Sequence, residues 1–152
     1  RFKFHELMPD PEAVPGNTDD GYIPDGEGGL IDLRALMKVL NRRIAYLLNR
    51  DQMIGHAFFC KVRDIHELRS MLCDEIIPLL QEYFYNDWQR IRMVFGYNNQ
   101  TTGFQIISQE AESAEQVFGW ADDEQADSFR YRICHPDEIT ADAIRRIIGS
   151  AA

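Results

Sequence analysis

The side chains in this sequence best suited by type and spacing to chemistry are Gly55 and His56, in the run Ile54-Gly55-His56-Ala57-Phe58-Phe59. A glycine lets backbone come close to a ligand. An imidazole beside it offers a hydrogen bond and a charge that changes with pH. At a break between helices, such a pair could meet a phosphate or a neighbouring subunit. The plainer alternative is a turn glycine beside a histidine satisfied by local hydrogen bonds. Arg50 is the nearest preceding cation.

Other signatures are missing. There is no G-x-x-x-x-G-K-[ST] loop, G-x-G-x-x-G, G-x-S-x-G or H-E-x-x-H. Gly26, Gly28 and Gly29 follow no strand pattern and precede no Lys-Ser/Thr pair, so they read as linker rather than a phosphate cradle. His56, Cys60, His66 and Cys73 fit no common zinc spacing. The three cysteines, Cys60, Cys73 and Cys134, form no C-x-x-C pair, which suits buried free thiols in a reducing, cytoplasmic setting. Asp74-Glu75 and Asp122-Asp123-Glu124 read as solvated faces.

Helices must position Gly55 and His56. Leu33, Leu36, Met37, Leu40, Ile44, Leu47 and Leu48 recur at helical spacing, with Asp32 as the expected N-cap. Arg50 to His56 interrupts that pattern and demands a turn. A second apolar face follows at Ile65, Leu68, Leu72, Ile76, Leu79, Leu80 and Tyr83, and Pro78 kinks or divides it. Asn86 or Asp87 caps a third helix through Trp88, Ile91, Arg92 and Phe95, stopped at Gly96. The aromatic run from Ile77 to Trp88 reads as core more than partner surface.

On either side the texture differs. Arg1 to His5 alternates polar and apolar like a strand, and residues 16–29 read as an exposed, mobile loop. A chain that opens in mid-strand is expected to be a piece of a longer one. Phe104–Ile107 and Phe129–Ile133 are strand candidates, with a short helix between them ending near Phe118-Gly119. Thr140 caps a last helix carrying Ala141, Ile144, Ile147 and Ile148.

With 152 residues, 45% hydrophobic and 27% charged, the balance is globular. A net charge of -9 argues against a broad, counterion-releasing grip on nucleic acid. A local basic face of Arg42, Arg43, Arg50, Lys61 and Arg63 keeps a nucleic-acid-binding helical domain among the alternatives. No apolar run approaches the roughly 20 residues of a membrane span, and no secretory signal is visible.

Three segments in order resemble the lid of McrB-type proteins, GTP-hydrolysing AAA+ subunits of modified-cytosine restriction systems. They are Leu40-Asn41-Arg42-Arg43-Ile44, Asn49 to Phe59, and Ile76-Ile77-Pro78-Leu79-Leu80-Gln81-Glu82-Tyr83-Phe84. Arg1-Phe2-Lys3-Phe4 resembles the end of the family's nucleotidase core, and Gly119 with Tyr131-Arg132-Ile133 its weaker tail pattern.

The resemblance implies an α+β, mostly α fold: a three-helix AAA+ lid-type bundle followed by a small mixed β/α tail. The expected divisions are a remnant core strand and flexible linker (1–29), a helical lid (30–98) and a C-terminal extension (99–152). Gly55, His56 and Arg50 would stand where such lids bring a second sensor to the nucleotide. Many lids place an arginine there, whose fixed charge stabilises phosphate.

The implied chain caps nucleotide and supports ring assembly in a parent protein. That parent would bind GTP or ATP with Mg through a core lying N-terminal to Arg1. No catalytic residue, metal ligand or cofactor is assigned to this chain, which is expected to hydrolyse nothing alone. The implied partners are the AAA+ core, neighbouring ring subunits and a nuclease subunit, with DNA reached only through other domains. The alternative is a free-standing helical interaction module without nucleotide chemistry.

Overall fold

The computed structural model describes residues 10–48, 53–121 and 128–149. The strand expected at Arg1–His5 lies outside them, as does Arg50. The described fold is α+β and mostly α.

The chain enters through a 3-10 turn, Pro11–Ala13, capped by the Asp10 carboxylate accepting from the Glu12 N–H. Strand β1 (Tyr22–Pro24) then pairs antiparallel with β2 (Leu30–Asp32), placing Ile23 opposite Ile31. Residues 17–20 and 26–28 are exposed, as expected of a loop over residues 16–29, but the segment also carries a strand with a buried side chain. Although apolar residues are few there, Ile23 is fully buried. The polar residues serve the backbone instead: Asp25 accepts from the N–H groups of Glu27 (2.7 Å) and Gly29 (2.9 Å). Gly16 has φ +65°, and a Cβ there would lie 2.4 Å from the Tyr22 carbonyl oxygen, so the turn requires glycine.

Helix α1 (Leu33–Leu47) starts where the periodicity changes, with Asp32 accepting from the Ala35 N–H at 3.0 Å. A short helix, α2 (Ala57–Cys60), follows the interruption. The second apolar stretch stays helical throughout, with a π-helical turn just before Pro78. It becomes α3 (Ile65–Met71), a π-helical turn (Leu72–Ile76) and α4 (Ile77–Tyr83). Pro78 cannot donate to the carbonyl four residues earlier, and the π turn changes the helical register just before it. Asp87 caps α5 (Trp88–Val94), and Gly96 at φ +87° ends that helix.

The tail carries β3 (Ile107–Glu112), α6 (Ala114–Phe118), β4 (Ser128–Ile133) and α7 (Ala141–Gly149). Strand β3 starts where the apolar run 104–107 ends and continues into polar residues. Pairing overrides propensity: Ser108 lies opposite Arg132 and Glu110 opposite Arg130 in the antiparallel register with β4. Helix α6 has a Ser113–Gln116 capping box and stops at Gly119, whose φ is +82°. Thr140 Oγ1 accepts from the Ala143 N–H at 3.1 Å and starts α7.

One contiguous core joins these parts. Val14, Ile23 and Ile31 from the N-terminal hairpin pack with residues of α1, α3, α4 and α5, and with Ile106, Ile139, Ile144 and Ile147 from the tail. Helix α1 is central to it, touching both α5 and α7. Among the described residues no helix is long and apolar enough to cross a membrane.

Candidate functional site

The segment Ile54-Gly55-His56 is set by a polar residue on the buried side of α1. Asn41 is 6% exposed, between Met37 and Ile44 on the apolar face. Its side-chain amide donates to the Ile54 carbonyl at 2.8 Å and accepts from the Ile54 N–H at 2.6 Å. A buried asparagine costs free energy unless its amide is matched, and here the backbone of Ile54 matches it. The Ile54 side chain is itself fully buried.

Two further contacts close the turn. Tyr83, at the end of α4, donates its hydroxyl to the Met53 carbonyl at 3.3 Å, and burial pushes that phenol up from its ordinary range. His56 Nδ1 accepts from the Asp10 N–H at 3.1 Å, which in the neutral ring leaves the proton on Nε2. Helix α2 then grows from the turn, Phe59 N donating to the His56 carbonyl at 2.9 Å, with the Phe59 ring fully buried. The turn is anchored on both sides of Gly55.

Gly55 has no internal steric reason to be glycine. Its φ lies outside the left-handed region, and a Cβ built on it would meet no heavy atom of the described residues within 4 Å. The structure thus brings Gly55 and His56 together on a pinned turn. Arg50 lies outside the described residues.

The cations expected to share a basic face are largely engaged separately. Arg43 sends Nη1 to the Val94 carbonyl (3.0 Å) and Nη2 to the Ile147 carbonyl (2.9 Å), at the C-terminal ends of α5 and α7. Burial lowers its pKa, and the helix-end carbonyls suit its charge. Lys61 pairs with Glu75 at 2.5 Å, and the Arg63 guanidinium reaches the Cys60 carbonyl. Arg42 remains exposed. Among the described residues no group of His, Cys, Asp or Glu could hold a metal ion. Cys60 Sγ instead donates to the Ala13 carbonyl at 3.6 Å.

In the sequence Asn41 stands in the Leu40–Ile44 run with no role of its own, and Arg43 only as one member of a basic face. A signal for Asn41 was available: it stands at helical spacing inside an otherwise apolar face, where a polar side chain needs a specific partner. The partner Ile54 is 13 residues away across a turn, and no local pattern encodes that pairing.

Residues 32–92 match the model of the McrB alpha-helical lid domain. No curated protein matches the chain. The matched stretch opens on the Asp32 cap of α1 and closes within α5, so it contains Asn41, Ile54, Gly55, His56 and Tyr83. Over residues 32–92 the chain is similar to the McrB alpha-helical lid domain.

Proposed function

We propose that the chain is the lid and tail of a McrB-like AAA+ nucleotidase in a modification-dependent restriction system. In this reading the Ile54-Gly55-His56 turn caps GTP or ATP, held with Mg on a core domain, as the ring assembles. The observation that supports it is the pinned turn. Asn41 and Tyr83 fix the backbone before Gly55, and Asp10 occupies His56 Nδ1, yet among the described residues nothing fills the space beside Gly55. Backbone anchored by hydrogen bonds and only partly covered is what close approach to a phosphate requires. His56 Nε2–H supplies a hydrogen-bond donor, and Arg50 a positive charge from the same segment.

The chemistry of hydrolysis stays with the core, and this chain supplies closure and a contact to the neighbouring subunit. A nuclease subunit would then engage the assembled ring, and DNA would be read by other domains. The test is His56→Ala and Gly55→Val in the full gene product, with nucleotide affinity and ring assembly measured together. Loss of one hydrogen bond worth about 1 kcal/mol weakens binding about five-fold. Wild-type affinity and assembly in both variants would refute the capping role.

A second reading, a helical interaction module, is favoured by a groove of about 490 Å³ on α1 and α5. Tyr46, 88% exposed, and Met93, 46% exposed, flank it. Unchanged nucleotide handling in both variants would move the weight to this surface.

A further inference from the structure

A pocket of about 670 Å³ opens between the end of α5 and α7, and none of its lining residues belongs to the Gly55–His56 turn. Two buried rings line it, Phe95 and Tyr97, stacked with centroids 6.1 Å apart and planes 19° from parallel, and the partly buried Phe104 adds to them. The loop that carries Thr101 forms one side, and buried side chains fix it. Arg92 sends Nη2 to the Gln105 side-chain oxygen and Nε to the Ile107 carbonyl (3.0 Å), and Gln105 Nε2 donates to the Thr101 carbonyl at 2.9 Å. Helix α7 forms the other side with Arg145 and Arg146.

Positive charge outweighs negative here, in a chain whose net charge is -9. Arg92 is 2% exposed, yet among the described residues no carboxylate pairs with it. Its guanidinium lies over the Tyr97 ring instead, 5.6 Å from the centroid. A buried arginine without a counter-anion leaves its surroundings electropositive. Arg145 is committed, with Nη2 on Asp25 at 2.5 Å and Nη1 on Asp142 at 3.6 Å. Arg146 is exposed and donates only from Nε, to the Asp142 carbonyl at 3.5 Å, so among the described residues both Nη groups stay open. Gly103 leaves room for them: its φ is +81°, and a Cβ there would lie 3.2 Å from Arg146 Nη1.

We propose that this pocket binds a small planar aromatic carboxylate, its ring against Phe95 and Tyr97 and its carboxylate on the Nη groups of Arg146. The volume lies in the ordinary range of small-molecule sites, and a mostly apolar lining with few polar groups is their usual make-up. The guanidinium fork matches a carboxylate in two parallel hydrogen bonds. A singly charged group suits the site better than a polyphosphate, because the Asp142 carboxylate also stands on the rim.

The experiment titrates the nitrogen-labelled chain with cinnamate, with its neutral counterpart cinnamamide and with acetate, following backbone amide resonances. Cinnamate should shift Gly96 and Thr102 saturably and leave Gly55 in place. Cinnamamide should bind at least about ten-fold more weakly, since it loses a charge-assisted hydrogen-bond pair, and acetate, without a ring, should also bind more weakly than cinnamate. Arg146→Gln should bring cinnamate down to the affinity of cinnamamide, which should itself be unchanged. Arg90→Gln removes an exposed cation outside the pocket and should bind cinnamate as wild type does. No saturable shift with cinnamate, equal affinity for cinnamate and cinnamamide, acetate as tight as cinnamate, or equal losses in the two arginine variants would overturn the proposal. The comparison of the three probes on the wild-type chain decides it even if a variant fails to fold.

Discussion

Asn41 satisfies both polar groups of Ile54, 13 residues ahead of it: the carboxamide donates to the Ile54 carbonyl and accepts from the Ile54 N–H. A side-chain amide can thereby act as a strand neighbour would, closing a two-bond ring with one peptide. It lets a helix fix a turn that has no regular structure. The pair also explains how Ile54 is buried without leaving its backbone unpaired.

Replacing Asn41 with alanine strands the Ile54 N–H and carbonyl in a site closed to water. Each buried unsatisfied group costs about 1–3 kcal/mol, so Asn41→Ala should destabilise by about 2–4 kcal/mol. Asn41→Asp keeps the acceptor but turns a carboxylate oxygen toward the buried Ile54 carbonyl, and at neutral pH should cost at least as much. Urea midpoints at constant slope check this. Equal stability of Asn41→Ala and wild type would remove the clamp from the account.

Gly55 gives the opposite expectation. Its backbone is not left-handed and a Cβ there meets nothing among the described residues within 4 Å. Gly55→Ala should therefore leave folding stability unchanged, or raise it by about 0.4–1 kcal/mol through the unfolded chain. A loss of more than about 1 kcal/mol in thermal or urea unfolding would show a steric role that the structure does not contain.

The helices of the lid were legible because each is written locally. Asp32 and Asp87 are caps, Leu33 to Leu47 keep one period, and Pro78 marks an irregularity that takes the form of the π turn before it. What was not legible is pairing at a distance. Residues 16–29 look like linker by composition, yet Ile23 finds Ile31, and Asp25 finds Arg145 120 residues away. Strand β3 extends through Glu112 only because β4 supplies Arg130 and Arg132 opposite its polar residues. At the candidate site, Gly55 and His56 were visible as types. Their support by Asn41, Tyr83 and Asp10 comes from three separate elements.

Arg43 shows why a cation read as surface charge can instead be structural. Its planar fork reaches the end carbonyls of two helices at once, Val94 on α5 and Ile147 on α7. A lysine keeps the charge but not the two-pronged geometry. Arg43→Lys should cost about 1–2 kcal/mol, and Arg43→Met more, in chemical unfolding. Hydrogen exchange should also quicken in α7 relative to α3. Equal protection of α7 in wild type and both variants would contradict this role.

Asp25 ties the N-terminal hairpin to α7, and the tie should depend on pH in a defined direction. Its side chain is 4% exposed and meets Arg145 Nη2 at 2.5 Å, while that same Arg145 nitrogen also donates to the Leu30 carbonyl at 3.1 Å. Gly29 makes the contact possible, since a Cβ there would sit 2.6 Å from the Asp25 Oδ2. The Arg145 hydrogen bond first, then those from the Glu27 and Gly29 N–H groups, lower the Asp25 pKa to about 2. An unfolded aspartate titrates near about 3.9. Because the folded value is depressed, the carboxylate contributes stability that is complete above the unfolded pKa and is lost as pH falls through about 2. Asp25→Asn should therefore be less stable than wild type at neutral pH, and the gap should narrow between about pH 4 and pH 2. Urea midpoints of both proteins across that range measure it. A gap that stays constant down to pH 2 would mean that the Asp25 charge contributes nothing and that only the shape of the turn matters.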